Sequence, residues 1–287
     1  MADECANARA SDLTAAVGGE SAPALQTHWL VDTAQMNEVG GRESNQDALD
    51  SLHSEGLHCF LVADGAGGHN GGEIAAAAAI KAISTAFAAD AVFGAEKLSA
   101  YLNAASQSVA QVQGGDQHLR EMSTTIASLL IDTRQGAALW AHLGDSRIYF
   151  FRQQKIQAMS RDHSLVQQYI DAGYCTADQS RIHPHRHVLF AAIGAEAGHA
   201  PCLSTMQELA AGDAFLLCSD GLWEWVLEDE MEHALAQASS AQDWLNRMQR
   251  IADQRANQNQ STSVRDNTTA FAIWVDRMPQ SHNNKAQ

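Results

Sequence analysis

Four aspartates in this chain share one local grammar. Asp64 follows F-L-V-A, Asp145 follows W-A-H-L-G, Asp220 follows F-L-L-C-S, and Asp266 sits in R-D-N-T-T just ahead of A-F-A-I-W-V. A fifth, Asp47, lies in G-R-E-S-N-Q-D-A-L. Apolar runs of this kind read as core strands, so the carboxylates fall at strand mouths, where they are placed to converge on one site. Carboxylates that converge repel one another strongly and need a cation between them. Hard oxygen donors with few histidines nearby favour Mg²⁺ or Mn²⁺ over zinc. Taken singly, Asp64-Gly65 and Asp220-Gly221 read more simply as tight turns, because Asp-Gly is a common turn dipeptide. That reading weakens as the pattern repeats, since a turn does not require aspartate each time.

The stretch F-L-V-A-D-G-A-G-G-H-N-G-G (60–72) also has the composition of a phosphate cradle, a glycine-rich passage from a strand into a helix. It opens on an acid, however, and no G-x-x-x-x-G-K-[ST] lysine follows. Nucleotide binding is therefore the weaker reading.

The elements that must position these residues follow from periodicity. Strand-like segments lie near 28–35, 57–63, 125–132, 137–143, 147–151, 213–218 and 268–275. Helical patterns fit 72–89, 95–113, 164–172, 228–237 and 240–255. The pair T-I-A-S-L-L-I-D and A-A-L-W-A-H-L, joined by T-R-Q-G, predicts an antiparallel hairpin. Strands meeting through hairpins, with long helices between groups, predict an α+β chain of two packed antiparallel sheets flanked by helices.

The chain has 287 residues, 45% hydrophobic and 18% charged, enough for one large domain with a sizeable core. Its net charge of −16, from 34 acids and 18 bases, argues against nucleic acid or an anionic membrane as partner. Five cysteines without C-x-x-C spacing are the usage of a reducing compartment. The N-terminus has neither a basic start nor an apolar core, and no apolar run approaches the ~20 residues of a membrane span. Residues 1–26 read as a flexible arm, 27–277 as one domain, and 278–287 as a disordered tail. A cytoplasmic protein is expected.

In order, G-R-E-S-N-Q-D (41–47), V-A-D-G-A-G-G-H (62–69), S-T-T (123–125), G-D-S-R (144–147), R-D-H-S (161–164), L-C-S-D-G-L-W-E (217–224) and R-D-N-T-T (265–269) resemble the metal-dependent serine/threonine phosphatases of type 2C, in their compact bacterial form. The resemblance spans about 41–275. It implies a four-layer α-β-β-α sandwich with a cluster of two Mn²⁺ or Mg²⁺ ions at one end of the sheets. Asp47, Asp64, Asp220 and Asp266 are then the metal carboxylates, Gly65 adds its backbone carbonyl, and Asp64 bridges the ions. Asp145 resembles a ligand of a third, weaker ion, with Glu224 where the family often has aspartate. Arg42 matches the arginine that grips the substrate phosphate, a task suited to a planar guanidinium. Hydrolysis of phosphoserine and phosphothreonine on proteins is implied, by direct attack of a hydroxide held between two ions. The catalytic set is Arg42, Asp64 and Asp220. No cysteine sits in a C-x₅-R loop of the kind used for a covalent phosphoenzyme.

The sequence departs from the family at Ala66, where some members carry a histidine proposed as the acid for the leaving alkoxide. His69, three residues on, is a candidate substitute but reads more simply as a loop residue. Residues 165–205 correspond to a flap beside the active site, and in I-H-P-H-R-H (182–187) His183 and Arg186 are taken as substrate-binding. The H-P-H-R-H-V-L form of the flap resembles phosphatases encoded with type VI secretion systems. Ser146, Arg147 and His163 read as braces, Thr124 and Thr125 carry no assigned chemistry, and Trp140, Trp223 and Trp225 read as core. The implied partners are phosphorylated proteins and a cognate serine/threonine kinase, with a monomer expected. The alternative is a catalytically silent member that binds phosphoproteins as a regulator.

Overall fold

The largely apolar character of L-H-C-F-L-V-A follows from a strand buried on both faces. In this computed structural model, which describes residues 29–67, 71–195, 199–258 and 265–277, the segment is the centre of β3 (Leu57–Ala66). Successive side chains of a strand point to opposite faces. Leu57, Cys59, Leu61 and Ala63 pack against helices α1 (Gly71–Ala89) and α2 (Ala95–Gly115). Phe60 and Val62 face the other way, into a core shared with the second sheet.

Two antiparallel sheets result. One has the order β1-β12-β11-β7-β8, from Trp29–Glu38, Thr268–Arg277, Asp213–Cys218, Arg147–Arg152 and Lys155–Met159. The other has the order β10-β6-β5-β3-β2. Here β10 is Gln207–Glu208, β6 Ala137–Leu143, β5 Ile126–Asp132 and β2 Asp47–Ser54. Short β4 (Ser123–Thr124) joins β3, and β9 (Cys202–Leu203) joins β6. Between the sheets lie Phe60, Leu129, Trp140, Phe150, Phe215 and Phe271. The far face of the first sheet is covered by α6 (Glu228–Gln237) and α7 (Ala241–Gln258), with Trp244 fully buried against Phe151. The order of layers is helix, sheet, sheet, helix, as the resemblance implies.

The predicted helices coincide with α1, α2, α3 (Leu165–Asp171), α6 and α7, and T-R-Q-G does join β5 to β6. Periodicity misses β2 and β8. Both are edge strands with one partner and largely half-exposed side chains, so neither D-A-L-D-S-L-H-S nor K-I-Q-A-M carries a clear apolar alternation. Helix α1 is long and apolar enough to cross a membrane by length and composition, against the sequence expectation of no such run. Here it packs on β2, β3 and α2. Cys59 and Cys218 are buried free thiols, while Cys202 is disulfide-bonded, which the cysteine pattern did not predict. The predicted arm at 1–26 and tail at 278–287 lie outside the described residues.

Candidate metal centre

Antiparallel order brings the ends of eight strands to one side of the sandwich. There the C-terminal ends of β1, β3, β6 and β11 meet the N-terminal ends of β2, β5, β7 and β12. Asp47 opens β2 and Asp64 lies two residues before the end of β3, and the two are direct cross-strand partners. Asp220 starts the short helix α5 (Asp220–Trp223) after β11, Asp266 precedes β12, and Asp145 lies between β6 and β7. Neither Asp-Gly is a turn. Gly65 continues β3, and Gly221 lies in the first turn of α5.

The glycines serve close approach instead. A Cβ on Gly65 would stand 2.0 Å from the Gly72 carbonyl oxygen, where α1 begins. One on Gly221 would stand 1.9 Å from the Asn267 carbonyl oxygen. Both distances are far inside van der Waals contact, so each site demands glycine. The chain turns away only at Gly67, with φ of 138°.

Neutral side chains hold the acidic backbone in place. The Asp64 N–H donates to Thr125 Oγ1 at 3.0 Å, and Thr124 Oγ1 donates to the Asp64 carbonyl at 3.0 Å. Thr125 in turn bonds Ser146 at 2.6 Å. Ser219 donates to Asp47 Oδ2 at 2.8 Å. Asn267 ties the Arg42 loop to β12: its Nδ2 donates to the Val39 and Ser44 carbonyls, and its Oδ1 accepts from the Gln46 N–H. The positioning roles of Thr124, Thr125, Ser219 and Asn267 were not read from sequence. Their only signal was membership of S-T-T, C-S-D-G and R-D-N-T-T.

The site is strongly acidic and short of partners. Burial, then the neighbouring Asp47 carboxylate, holds Asp64 well above the usual carboxylate range. Burial likewise pushes Asp47 up to about 7, with Asp220 and Asp266 adding to it against the hydrogen bonds from Thr269 and Ser219. Asp145 is raised by burial and then by Asp220. Asp47 Oδ1 is buried with no hydrogen-bond partner. A buried, unpartnered carboxylate oxygen among other carboxylates is the signature of a cation site. The donor set fits Mg²⁺ or Mn²⁺, hard ions that take oxygen ligands.

Asp64, Gly65, Asp145, Asp220 and Asp266 line one cleft of about 320 Å³ together with Arg42, Ala66, Thr125 and His187. Arg42 Nη2 lies 2.5 Å from Asp266 Oδ2, yet its side chain is 52% exposed and free to turn into the cleft. Ala66 lines the cleft where a proton donor would stand, and His69 lies outside the described residues.

The flap residues divide differently from the sequence expectation. His183 does not line this cleft. It packs on Tyr169 and His185 beside a separate groove with Tyr174, Gln179 and Ile182. Arg186 is engaged with the protein, its Nε donating to Glu224 Oε1 at 2.8 Å. His187, two residues past His185, is the flap histidine that reaches the cleft, with Nδ1 3.5 Å from Asp220 Oδ2. The alternate-position histidines drew attention to the segment, but the choice among them depends on the course of the flap.

Behind the cleft, Arg147 forms a two-pronged pair with Asp162 at 2.9 and 2.8 Å and lies 3.5 Å over the Trp223 ring. The Trp223 indole N–H donates to the Asp145 carbonyl at 2.9 Å. Flap residue Arg181 bonds the Trp223 carbonyl and both oxygens of Glu228. His163 Nδ1 accepts from the Gly144 N–H. Trp223 is thus core and brace at once.

The profile of the family described as "Protein phosphatase 2C" matches residues 38–276. The protein phosphatase PhpP of Streptococcus pneumoniae is 31% identical over 207 residues, 70% of this chain and 82% of that protein. A crystal structure of the catalytic domain of the serine/threonine protein phosphatase PstP in complex with two manganese ions superposes with a TM-score of 0.72 at 27% identity, covering 86% of this chain and 99% of that one. PppA of Pseudomonas aeruginosa, described as a key regulatory component of its type VI secretion system, superposes with a TM-score of 0.62 at 27% identity, over 86% of this chain and 98% of that one.

Proposed function

The chain belongs to the protein phosphatase 2C family, and from that premise we propose how its own residues divide the work. It is a Mn²⁺- or Mg²⁺-dependent serine/threonine protein phosphatase acting on phosphoproteins. The observation that carries the proposed centre is the convergence of Asp64, Asp220 and Asp266 on one cleft, with Asp47 the cross-strand partner of Asp64 and one buried Asp47 oxygen left unpartnered. We assign these carboxylates, with the Gly65 carbonyl, to holding two divalent ions, and Asp145 to the neighbourhood of a third. When bound, such ions supply Lewis acidity that activates water and neutralises phosphoryl charge.

The remaining steps belong to the chain. Arg42 leaves Asp266 to take two phosphoryl oxygens, which orients the phosphorus over the carboxylate cluster. Its charge also opposes the negative charge that spreads over those oxygens in the transition state. The threonine and serine braces keep Asp64 and Asp47 from splaying apart under mutual repulsion. Ala66 contributes no proton, so the leaving alkoxide takes its proton from another donor at the cleft. Of the flap residues, Arg186 enters the proposal as a latch on Glu224. His183 is proposed to meet substrate only beyond the phosphate, if its groove is used. The proposal extends to a cytoplasmic monomer working opposite a cognate serine/threonine kinase. Its pathway reading is control of a type VI secretion system, supported by the likeness to PppA.

The test is direct. Purified protein hydrolyses p-nitrophenyl phosphate and a phosphothreonine peptide with Mn²⁺. It loses both activities with chelator and in Asp64→Asn or Asp220→Asn. Metal-stimulated turnover that survives both substitutions overturns the assignment of the centre.

A further inference from the structure

One cluster among the described residues shares Asp220 with the carboxylates already assigned and adds ligand chemistry of a different kind. His187, Asp220 and Glu224 present an imidazole nitrogen and two carboxylate oxygens that all lie within 4.8 Å of one another. The three come from two elements: His187 from the flap, and Asp220 and Glu224 from the start and the C-terminal cap of α5. We propose that His187 is a flap ligand of the third, weaker ion, beside Asp220 and Glu224, and so ties the flap to the metal centre through that ion. It rests on the reading that Asp220 belongs to that centre.

Several observations converge on a cation rather than an ordinary ion pair. The His187 Nδ1 to Asp220 Oδ2 distance is 3.5 Å, longer than a good hydrogen bond of roughly 2.7–3.2 Å. Two ligand atoms about 2.1 Å from one ion and about 110° apart are themselves about 3.5 Å apart. The three ligand atoms all lie within 4.8 Å of one another, and gathering them about 2.1 Å from one ion asks for a small inward shift. A half-exposed histidine on the flap absorbs that by a side-chain shift. Arg186 Nε occupies Glu224 Oε1, which leaves the second oxygen of that carboxylate for an ion.

Donor type sets the preference of the site. An imidazole nitrogen suits Mn²⁺, Co²⁺ or Zn²⁺ and is a poor ligand for Mg²⁺, which takes oxygen. The flap site therefore discriminates among metals that the all-oxygen pair accepts alike. It also places the Arg186 guanidinium on the same carboxylate as the cation, so that removing that positive charge favours the ion.

The experiment uses the full chain with Mn²⁺ as probe, counting ions by calorimetry and detecting ligand nitrogen by pulsed electron paramagnetic resonance. The parent is expected to show ¹⁴N coupling to its weakest-bound Mn²⁺. His187→Ala loses that coupling and weakens that site at least about tenfold, while His185→Ala retains both. Arg186→Gln strengthens the site several-fold, and Mg²⁺ fails to displace the nitrogen-coupled ion. Absence of nitrogen coupling in the parent, or its survival in His187→Ala, overturns the proposal. If two tight ions still bind in that case, the phosphatase centre stands and only the flap ligand falls. A nitrogen-coupled ion without a tight pair supports the flap site and counts against the two-ion centre.

Discussion

Asp47 and Asp64 stand directly opposite each other on neighbouring antiparallel strands, and one oxygen of Asp47 is buried without a partner. Directly opposed like charges destabilise a strand pair. The fold therefore carries a local electrostatic cost at its active end, which a divalent cation held between the strands would offset.

This cost makes the metal-free protein sensitive to pH. Asp47 is held up to about 7 by burial and by its acidic neighbours. Between the ordinary carboxylate range near 4 and that value, the folded chain binds more protons than the unfolded one. Stability from this group is thus full below about pH 4 and is lost as pH rises towards 7. In thermal melts with chelator, Asp47→Asn is expected to be more stable than the parent at pH 7.5, by on the order of 2 kcal/mol. Saturating Mn²⁺ reverses the order. A parent melt insensitive to Mn²⁺ at pH 7.5 contradicts this account.

Arg42 is predicted to act on phosphate through geometry as well as charge. Steady-state kinetics with Mn²⁺ should show Arg42→Lys losing about tenfold in kcat/KM, and Arg42→Ala about a hundredfold. Full activity in Arg42→Lys would mean that charge alone matters, and equal losses in the two variants that geometry alone does.

Arg147 supports the Asp145 loop from behind. Removing it in Arg147→Met leaves Asp162 buried and unpaired, which costs about 3–5 kcal/mol. Urea unfolding measures this directly, and the double variant with Asp162→Asn should recover part of the loss. Turnover in whatever protein remains folded falls too, because the Trp223 stack over Arg147 carries the hydrogen bond to Asp145.

The glycine beside Asp220 is predicted to be irreplaceable for packing. Gly221→Ala drives a methyl group to 1.9 Å from the Asn267 carbonyl oxygen, so it should lower the melting temperature and turnover together. Gly114→Ala is the matched control. It sits near the end of α2 with nothing within 4 Å of its Cβ position, and the change should be neutral or stabilising, by up to about 1 kcal/mol. Similar losses at both positions would dismiss the close-approach argument.

Much of the architecture was legible because both sheets are buried on both faces. The strands at 57–63, 125–132 and 213–218 read as largely apolar runs, and the five predicted helices read from their period. Edge strands β2 and β8 were lost because half-exposed strands of mixed composition leave no comparable trace. The acids were also legible, since carboxylates at the ends of core strands are hard to explain otherwise. Their glycines were misjudged: Asp-Gly suggested turns, whereas Gly65 and Gly221 are straight-through positions where another segment passes within touching distance.

By itself, the sequence determined the four-layer sandwich, the list of acids and the family, because these rest on periodicity and on ordered motifs that need no coordinates. Only the tertiary structure decided which groups face one another. It set Asp47 against Asp64 through strand register, gave Asn267 the Arg42 loop, and committed Arg186 to Glu224. It also sent His187, rather than His183, into the cleft. Those choices depend on strand register and on the path of the flap over α5, which are properties of packing between segments far apart in the chain. No local pattern of residue types encodes them.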